Sequence, residues 1–155
     1  MIDVWIHPGF LFLIAAAALP FLKEKWQPRI LLGVPLLGFF VLLLVSHGNH
    51  GVFPLMGQKE LIFGRIDKLS LVFGYVITLT TFIGMVFSLH VKEKREHIAV
   101  LAYAGGALGT VFAGDLFTVF VFWELMAFSS ALLVFYRGKQ SYAAGMRYLF
   151  VHIFG

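Results

Sequence analysis

Long apolar runs alternate with short polar connections along the whole chain. Six runs stand out, at Trp5–Leu22, Ile30–Ser46, Leu69–His90, Ile98–Ala113, Leu116–Tyr136 and Tyr142–Gly155. A helix rises about 1.5 Å per residue, so about 20 residues cross a hydrocarbon core of about 30 Å. The second and fourth runs are shorter and need little tilt or a thinner bilayer. The pattern predicts an all-α integral membrane protein of about six transmembrane helices, the last one incomplete.

Composition supports a membrane protein over a soluble one. Of the 155 residues, 60% are hydrophobic and 13% are charged, whereas soluble domains carry about 25% charged residues. A soluble fold of this length has too little interior to hide so much apolar surface. The chain has no Cys, which excludes disulfides, a thiolate nucleophile and Cys-ligated zinc or iron–sulfur sites.

The connections between the apolar runs differ in charge. Three connections together hold nine cations, namely Lys23, Lys25, Arg29, Lys92, Lys94, Arg95, Arg137, Lys139 and Arg147, and the alternate set holds three, namely Lys59, Arg65 and Lys68. The positive-inside rule therefore predicts that the N-terminus lies outside. The cations are spread over short loops rather than gathered in one patch, so nucleic acid is not a predicted partner. The stretch Lys92–His97 is interpreted as a solvated loop of mixed charge.

The outer connection between the second and third runs is the longest. Its first half contains Gly, Asn and Pro, which favour turns, and Glu60–Ile66 is a candidate strand or hairpin. His47 and His50 have a spacing that metal sites use, but no carboxylate partner is evident and zinc takes three or four ligands. We interpret them as solvated polar residues, and no metal site is predicted.

Glu124 is the carboxylate that lies deep within an apolar run. It is about 12 Å from Leu116 and about 18 Å from Tyr136 along the helix, close to the middle of the membrane. An acidic side chain there costs about 2.5–3.5 kcal/mol on insertion scales, and such residues usually face a protein interior or an ion pathway. Ala127 and Ala131 share its face and allow another helix to approach closely. We therefore interpret Glu124 as a proton- or ion-handling group.

His152 is the second polar residue within an apolar run. If its helix begins near Ser141, His152 lies about 16 Å into the membrane, a depth similar to that of Glu124 on the preceding antiparallel helix. A carboxylate and an imidazole at that depth are suited to a proton relay. The alternative is a histidine bonded to a backbone carbonyl in a helix interface, and the sequence leaves both interpretations open.

Other conspicuous residues have structural interpretations. Asp115 and Asp67 stand immediately before apolar runs, where a carboxylate caps the first turn of a helix. Pro35 predicts a kink in the second helix. Three glycines in the fourth run are spaced for close contact with another helix, namely Gly105, Gly106 and Gly109.

The stretch Gly114–Ser130 has the pattern D-L-x-x-x-F-x-F-W-E-L-M. It resembles the fifth helix of the antiporter-like membrane proteins shared by Mrp-type cation/proton antiporters (their D-type component), membrane-bound hydrogenases and respiratory complex I. Arg65–Ser70 is similar to the entry of the family's third helix, and Ala143–Leu149 is similar to the entry of its sixth. The resemblance covers the N-terminal part of the family's pattern only.

The resemblance implies a central proton-handling role for the glutamate at the position of Glu124. It also implies three N-terminal helices with a long outer loop in residues 1–96, and the start of the antiporter-like repeat in residues 97–155. The lysines that the family carries on later helices are absent from this sequence. Another chain, or a longer version of this one, is therefore expected to supply the remaining helices.

The sequence predicts a proton- or cation-translocating component of a multi-subunit complex in the cell membrane. Its expected partners are the other membrane subunits, the lipid bilayer and protons or sodium ions. The chain is not expected to be catalytic alone, although its complex could be an antiport or redox-driven translocase. No segment is recognisable as a site for flavin, quinone or nucleotide. The alternative is a structural or assembly protein without its own ion path, in which Glu124 only pairs with a neighbour.

Overall fold

The computed structural model describes residues 7–54 and 60–154. It contains six α-helices and one two-stranded sheet, with short 3₁₀ turns at Leu19–Phe21, Glu24–Trp26 and Lys139–Ser141. The helices are α1 Pro8–Ala18, α2 Gln27–Leu44, α3 Lys68–Ser88, α4 Lys94–Phe112, α5 Leu116–Phe135 and α6 Tyr142–Phe154, and the strands are β1 Gly48–Pro54 and β2 Glu60–Ile66. The predicted start of the first run at Trp5, the residues 55–59 and the final Gly155 lie outside the described residues.

The six predicted apolar runs correspond to the six helices. Within the described ranges, three segments are long and apolar enough to cross a membrane, namely Glu24–Leu44, Lys68–Ser88 and Leu116–Phe135. α1 with its 3₁₀ turn is a shorter apolar segment. α4 begins at Lys94 rather than at the predicted Ile98, so its first turn is charged. The interpretation of Lys92–His97 as a solvated loop was therefore wrong for its second half.

α4 lies between α1 and α5 and contacts both. A Cβ added to Gly105 would stand 2.9 Å from the carbonyl oxygen of Gly9 in α1, and one added to Gly109 would overlap the ring of Phe122 in α5. Real Cβ atoms do not come this close to their neighbours, so glycine is what permits these helix backbones to approach. The prediction of close packing by the glycines of α4 is confirmed.

The predicted strand at Glu60–Ile66 is confirmed, and its partner is the turn-rich first half of the same connection. β1 and β2 pair antiparallel, with Gly48 opposite Ile66 and Pro54 opposite Glu60. Gly48 and Gly51 have positive φ values of 141° and 61°, which side chains other than glycine rarely adopt. Glycine is therefore the residue suited to these two positions of β1.

The connections gather at two ends of the helix bundle. At one end, which we call the hairpin end, Gly114 in the α4–α5 turn donates a backbone hydrogen bond to Ile62 of β2. At the other, which we call the basic end, Lys94 Nζ donates to the carbonyl oxygen of Leu22 over 2.8 Å. Arg137 lines a cavity with Val91 there. The three connections predicted to be basic therefore share one end. Five of the nine cations lie in these connections, and Arg29, Lys94, Arg95 and Arg147 lie in the first two turns of the helices that follow them.

Candidate functional site

Glu124 lies in the middle of α5, about 12 Å from its first residue and about 17 Å from its last. The start of α5 is fixed by Asp115, whose side chain accepts a hydrogen bond from the backbone N–H of Thr118. α4 holds one side of the helix, because Gly106 and Gly109 lie against Met126 and Phe122. Glu124 is thus a mid-helix residue of α5, while its predicted depth in a membrane stays a prediction.

A stripe of small residues leads along α5 toward Glu124. Ala127 and Ala131 are 3% and 1% exposed, and they follow one another at the four-residue spacing that keeps side chains on one helix face. Phe135 continues this stripe and packs on Gly145 of α6, where a Cβ would collide with its ring. Glu124 stands at the far end of the stripe, three residues before Ala127.

Glu124 is half-buried within this chain. Its neighbours on the outer side of α5 are exposed aromatic residues, with Phe120 at 58% and Phe128 at 50%. Among the described residues, no hydrogen bond or ion pair to the Glu124 side chain is found. The side of α5 beside Glu124 is therefore open in this chain.

His152 lies on α6 about 15 Å along the helix from its first residue. Its ring stands 5.9 Å from the ring of Trp123 and is stacked on Tyr148 at 6.1 Å. Tyr148 in turn shares a hydrogen bond of 2.8 Å with Ser130 of α5. Successive helix residues point about 100° apart, so Trp123 and Glu124 leave α5 in different directions. His152 is on the Trp123 side.

The structure therefore brings His152 and Glu124 to a similar depth without joining their side chains. No hydrogen bond or ion pair between them occurs in the part of the chain that the structure describes. The cleft next to His152 is lined by Trp123, Ala144, Arg147, Tyr148 and Val151. A relay between the two groups would need intervening water or a side chain from elsewhere.

Asp115 does more than cap α5. Its Oδ1 accepts from the Thr118 backbone, while its Oδ2 accepts from the Thr118 hydroxyl at 2.7 Å and from the backbone N–H of Ile62 at 2.8 Å. Partial burial raises the pKa of the Asp115 carboxyl, but these hydrogen bonds outweigh burial and hold that pKa below its usual value. A Cβ at Gly114 would overlap Ile62. The start of α5 is thus attached to the hairpin.

Asp67 caps α3 as predicted, in a reciprocal capping box with Ser70. Its Oδ1 accepts from the Ser70 backbone at 2.8 Å, and the Ser70 hydroxyl lies 2.9 Å from the Asp67 backbone nitrogen. Hydrogen bonds from Ser70 hold the pKa of the Asp67 carboxyl below its usual value. Both predicted carboxylate caps are confirmed.

Two buried histidines were missed by sequence reasoning. His7 is 1% exposed, accepts a hydrogen bond from the Gly9 backbone at its Nδ1, and stacks on Phe122 at 5.4 Å. His97, in the first turn of α4, is 2% exposed. A signal was present for each, since His7 precedes a Pro at a helix start and His97 directly precedes the apolar part of α4.

His47 and His50 lie in the connection that forms the hairpin. The His50 ring is 3.0 Å from the carbonyl oxygen of Ser46, through Nε2. Within the described ranges, no group of three or more His, Cys, Asp or Glu side chains is arranged to hold a metal ion.

Comparison with curated proteins gives matches to the A-type component of Na⁺/H⁺ antiporters. The chain is 31% identical over 111 residues to this component from Alkalihalophilus pseudofirmus, a match that covers 66% of this chain and 13% of the relative. It is 32% identical over 97 residues to the A1-type component from Staphylococcus haemolyticus, covering 58% of this chain and 12% of the relative. The matched region therefore spans about an eighth of these relatives. No protein-family model matches the chain.

Comparison with solved structures shows a related fold. A chain in the structure of the membrane-bound sulfane sulfur reductase, an archaeal respiratory membrane complex, superposes with a TM-score of 0.76. The two chains are 23% identical, and the match covers 92% of this chain and 32% of that one. At this identity the similarity establishes the arrangement of the helices and hairpin, and that arrangement is one used in a membrane complex.

Proposed function

We propose that this chain, which belongs over its matched part to the antiporter-like membrane subunit family, is a proton- or cation-translocating component of a larger complex, or a portion of one. The observation that carries the proposal is the position of Glu124. It is a half-buried carboxylate at mid-helix, at the end of a stripe of buried alanines. Carboxylates at such depth are typical of ion and proton pathways.

The proposed topology places all six helices across the cell membrane with the basic end inside. The cations of that end support this orientation, since cytoplasmic loops and helix ends of membrane proteins are enriched in Lys and Arg. Five of the nine lie in the connections, and the other four lie in the first two turns of α2, α4 and α6. The N-terminus and the hairpin then lie outside. α4 is less apolar than α2, α3 and α5, and its position between α1 and α5 spares it from facing lipid.

The proposed mechanism uses the open side of α5. A nearby cation stabilises an ionised carboxylate, whereas an apolar environment favours the protonated form. A partner helix that moved a cation toward and away from Glu124 would therefore make this group release and take up a proton. The exposed Phe120 and Phe128 give that partner an apolar surface on which to pack.

The role proposed for His152 is to extend this path along the α5–α6 interface. Its ring lies among Trp123 and Tyr148, at a depth similar to that of Glu124. In this position the imidazole can exchange protons with water in the adjoining cleft. The partners implied for the whole assembly are further membrane subunits, including the chain or segment that supplies the remaining antiporter helices.

The test is ion transport by the complete complex reconstituted in vesicles, comparing the unmutated protein with Glu124→Gln. Glu93→Gln is the matched control, because Glu93 is an exposed carboxylate in the α3–α4 connection. We expect Glu124→Gln to reduce transport to background while native gels show an intact complex, and Glu93→Gln to leave transport unchanged. If Glu124→Gln transports normally, or fails only because the complex does not assemble, the chain has a structural role and the proposal is wrong.

A further inference from the structure

His97 is a buried titratable group at the basic end, well separated in the sequence from Glu124. Its ring is 2% exposed, and its Nε2 lies 2.9 Å from the carbonyl oxygen of Val91. A carbonyl oxygen can only accept, so Nε2 carries a proton. In the neutral ring Nδ1 is then the basic nitrogen, ready to accept a second proton. The hydrogen bond to Val91 thus fixes the tautomer of His97.

Two cavities meet at His97. The first, of about 250 Å³, lies between the start of α2 and the α3–α4 connection and is lined by Glu24, Gln27, Pro28, Leu31, Leu89, Val91, Lys92 and His97. The second, of about 240 Å³, lies between the ends of α3 and α5 and is lined by Ser88, Val91, Glu96, His97, Val100, Leu133 and Arg137. Each has room for several waters, since one water takes about 30 Å³ in the liquid. His97 and Val91 are common to both.

Four charged side chains line the two cavities at His97, and the end of α3 contributes only the uncharged Ser88 and Leu89. Glu24 precedes α2 and Lys92 belongs to the α3–α4 connection, and both face the first cavity. Glu96 of α4 and Arg137 after α5 face the second. Each cavity therefore contains one carboxylate and one cation. His97 therefore lies between two cavities that each carry both signs of charge.

From this geometry we propose that His97 is a proton-binding site which separates two water-accessible cavities at the basic end and makes the chain respond to pH on that side. The site is distinct from Glu124, because Leu133, which lines the second cavity, lies on the opposite face of α5 from Glu124. An effect of His97 on transport rests on the proposed function. Protonation of His97 can occur whether or not that proposed function is correct.

The direct test is hydrogen–deuterium exchange at the imidazole C2–H of each histidine, followed by mass spectrometry on the intact complex between pH 5 and 8. Imidazole is the side chain that ordinarily changes charge in that range. We expect His97 to exchange with a sigmoidal pH profile despite its low exposure, because water reaches it from the cavities. Exposed His90 is the reference on the same end of the bundle. A His97 that shows no inflection while His90 does would overturn the proposal.

The functional test compares His97→Gln with His90→Gln in the reconstituted complex. Glutamine keeps a donor for the Val91 carbonyl but does not titrate. We expect His97→Gln to flatten the dependence of transport on basic-side pH, where a single titrating group changes a rate by up to about tenfold per pH unit. His90→Gln should leave the profile unchanged. A uniform loss at every pH in His97→Gln would indicate a structural role and would overturn the proposal.

The two proposals fail in distinguishable ways. If Glu124→Gln transports normally while His97 still titrates in the exchange experiment, the proposed function falls and the protonation site remains. If Glu124→Gln abolishes transport and His97 shows no titration, the proposed function stands and the proposed protonation site at His97 is wrong.

Discussion

The carboxylate of Asp115 accepts a hydrogen bond of 2.8 Å from the backbone N–H of Ile62, a residue 53 positions earlier in the chain. The same Oδ2 also accepts from the Thr118 hydroxyl. One side chain therefore caps α5 and secures β2 to it. The Gly114 N–H donates to the Ile62 carbonyl oxygen over 2.9 Å, so both backbone groups of Ile62 are bound by the α4–α5 turn.

Asp115→Ala should loosen the hairpin as well as the start of α5. Loss of an N-cap costs about 0.5–2 kcal/mol of stability, and the Ile62 N–H loses its acceptor in addition. Backbone hydrogen exchange should accelerate at Ile62 and Thr118 together. Asp67→Ala is the control, since it removes a cap whose hydrogen bonds are to the adjacent first turn of α3, at Ser70 and Leu69. Unchanged exchange at Ile62 in Asp115→Ala would contradict this attachment.

The contribution of Asp115 should depend on pH in a defined direction. Because the pKa of its carboxyl is lowered in the folded chain, the ionised form stabilises the fold above the pKa of the unfolded chain, about 3.9. That stabilisation is lost as pH falls through the lower folded value. We expect the difference in melting temperature between the unmutated chain and Asp115→Asn to be largest near neutral pH and to shrink in acid. If the difference in melting temperature grew as pH fell, the ionised Asp115 would not be the form that stabilises the fold, and this prediction would be wrong.

Gly109→Ala should destabilise the α4–α5 pair, because the added Cβ would overlap the Phe122 ring. Overpacking of this kind costs about 1–3 kcal/mol. Gly33→Ala in α2 is the matched control, since a Cβ there meets no atom within 4 Å. Alanine has the higher helix propensity by about 1 kcal/mol, so the control should be neutral or stabilising. Thermal unfolding in detergent would measure both, and equal effects would argue against the close contact.

Tyr148→Phe should weaken the α5–α6 contact modestly. It removes the hydrogen bond of 2.8 Å to Ser130 and keeps the ring that stacks on His152. Double-mutant cycles for such bonds between membrane helices give about 0.6 kcal/mol on average. A cycle with Ser130→Ala should therefore show a coupling of that order. Additivity of the two substitutions would mean that the bond contributes nothing to stability.

The elements of this fold were predictable from the sequence because each apolar run is long and bounded by charged or turn-forming residues. The prediction was weakest at the start of α4. Lys94, Arg95 and Glu96 have the composition of a loop, yet Lys94 bonds to the Leu22 carbonyl and the helix has already begun. A charged first turn can be helical when its side chains reach carbonyls at the ends of other helices, and those helix ends are not visible from the local sequence.

The positions of Glu124 and His152 along their helices were predictable from the sequence, but the helix faces on which they lie were not. Counting residues placed Glu124 and His152 at similar levels, which the helix bounds support. Their facing depends on how α6 rotates against α5, and that rotation follows from contacts such as Phe135 on Gly145. Apolar residues surround α5 on all sides, so hydrophobic periodicity could not choose among its faces. The hydrogen bond from the Ile62 N–H to Asp115 could not be predicted from the sequence either, since it joins segments that are 53 residues apart.

The glycine-lined burial of α4 has a consequence for biogenesis on the proposed topology. A nascent segment is sorted into lipid by its own apolarity, and among the described helices α4 does not reach the hydropathy of α2, α3 and α5. Its glycines give it little affinity for lipid and a close fit to α5. On this topology we expect α4 to be held in the bilayer by its contacts with α1 and α5 rather than by its own apolarity.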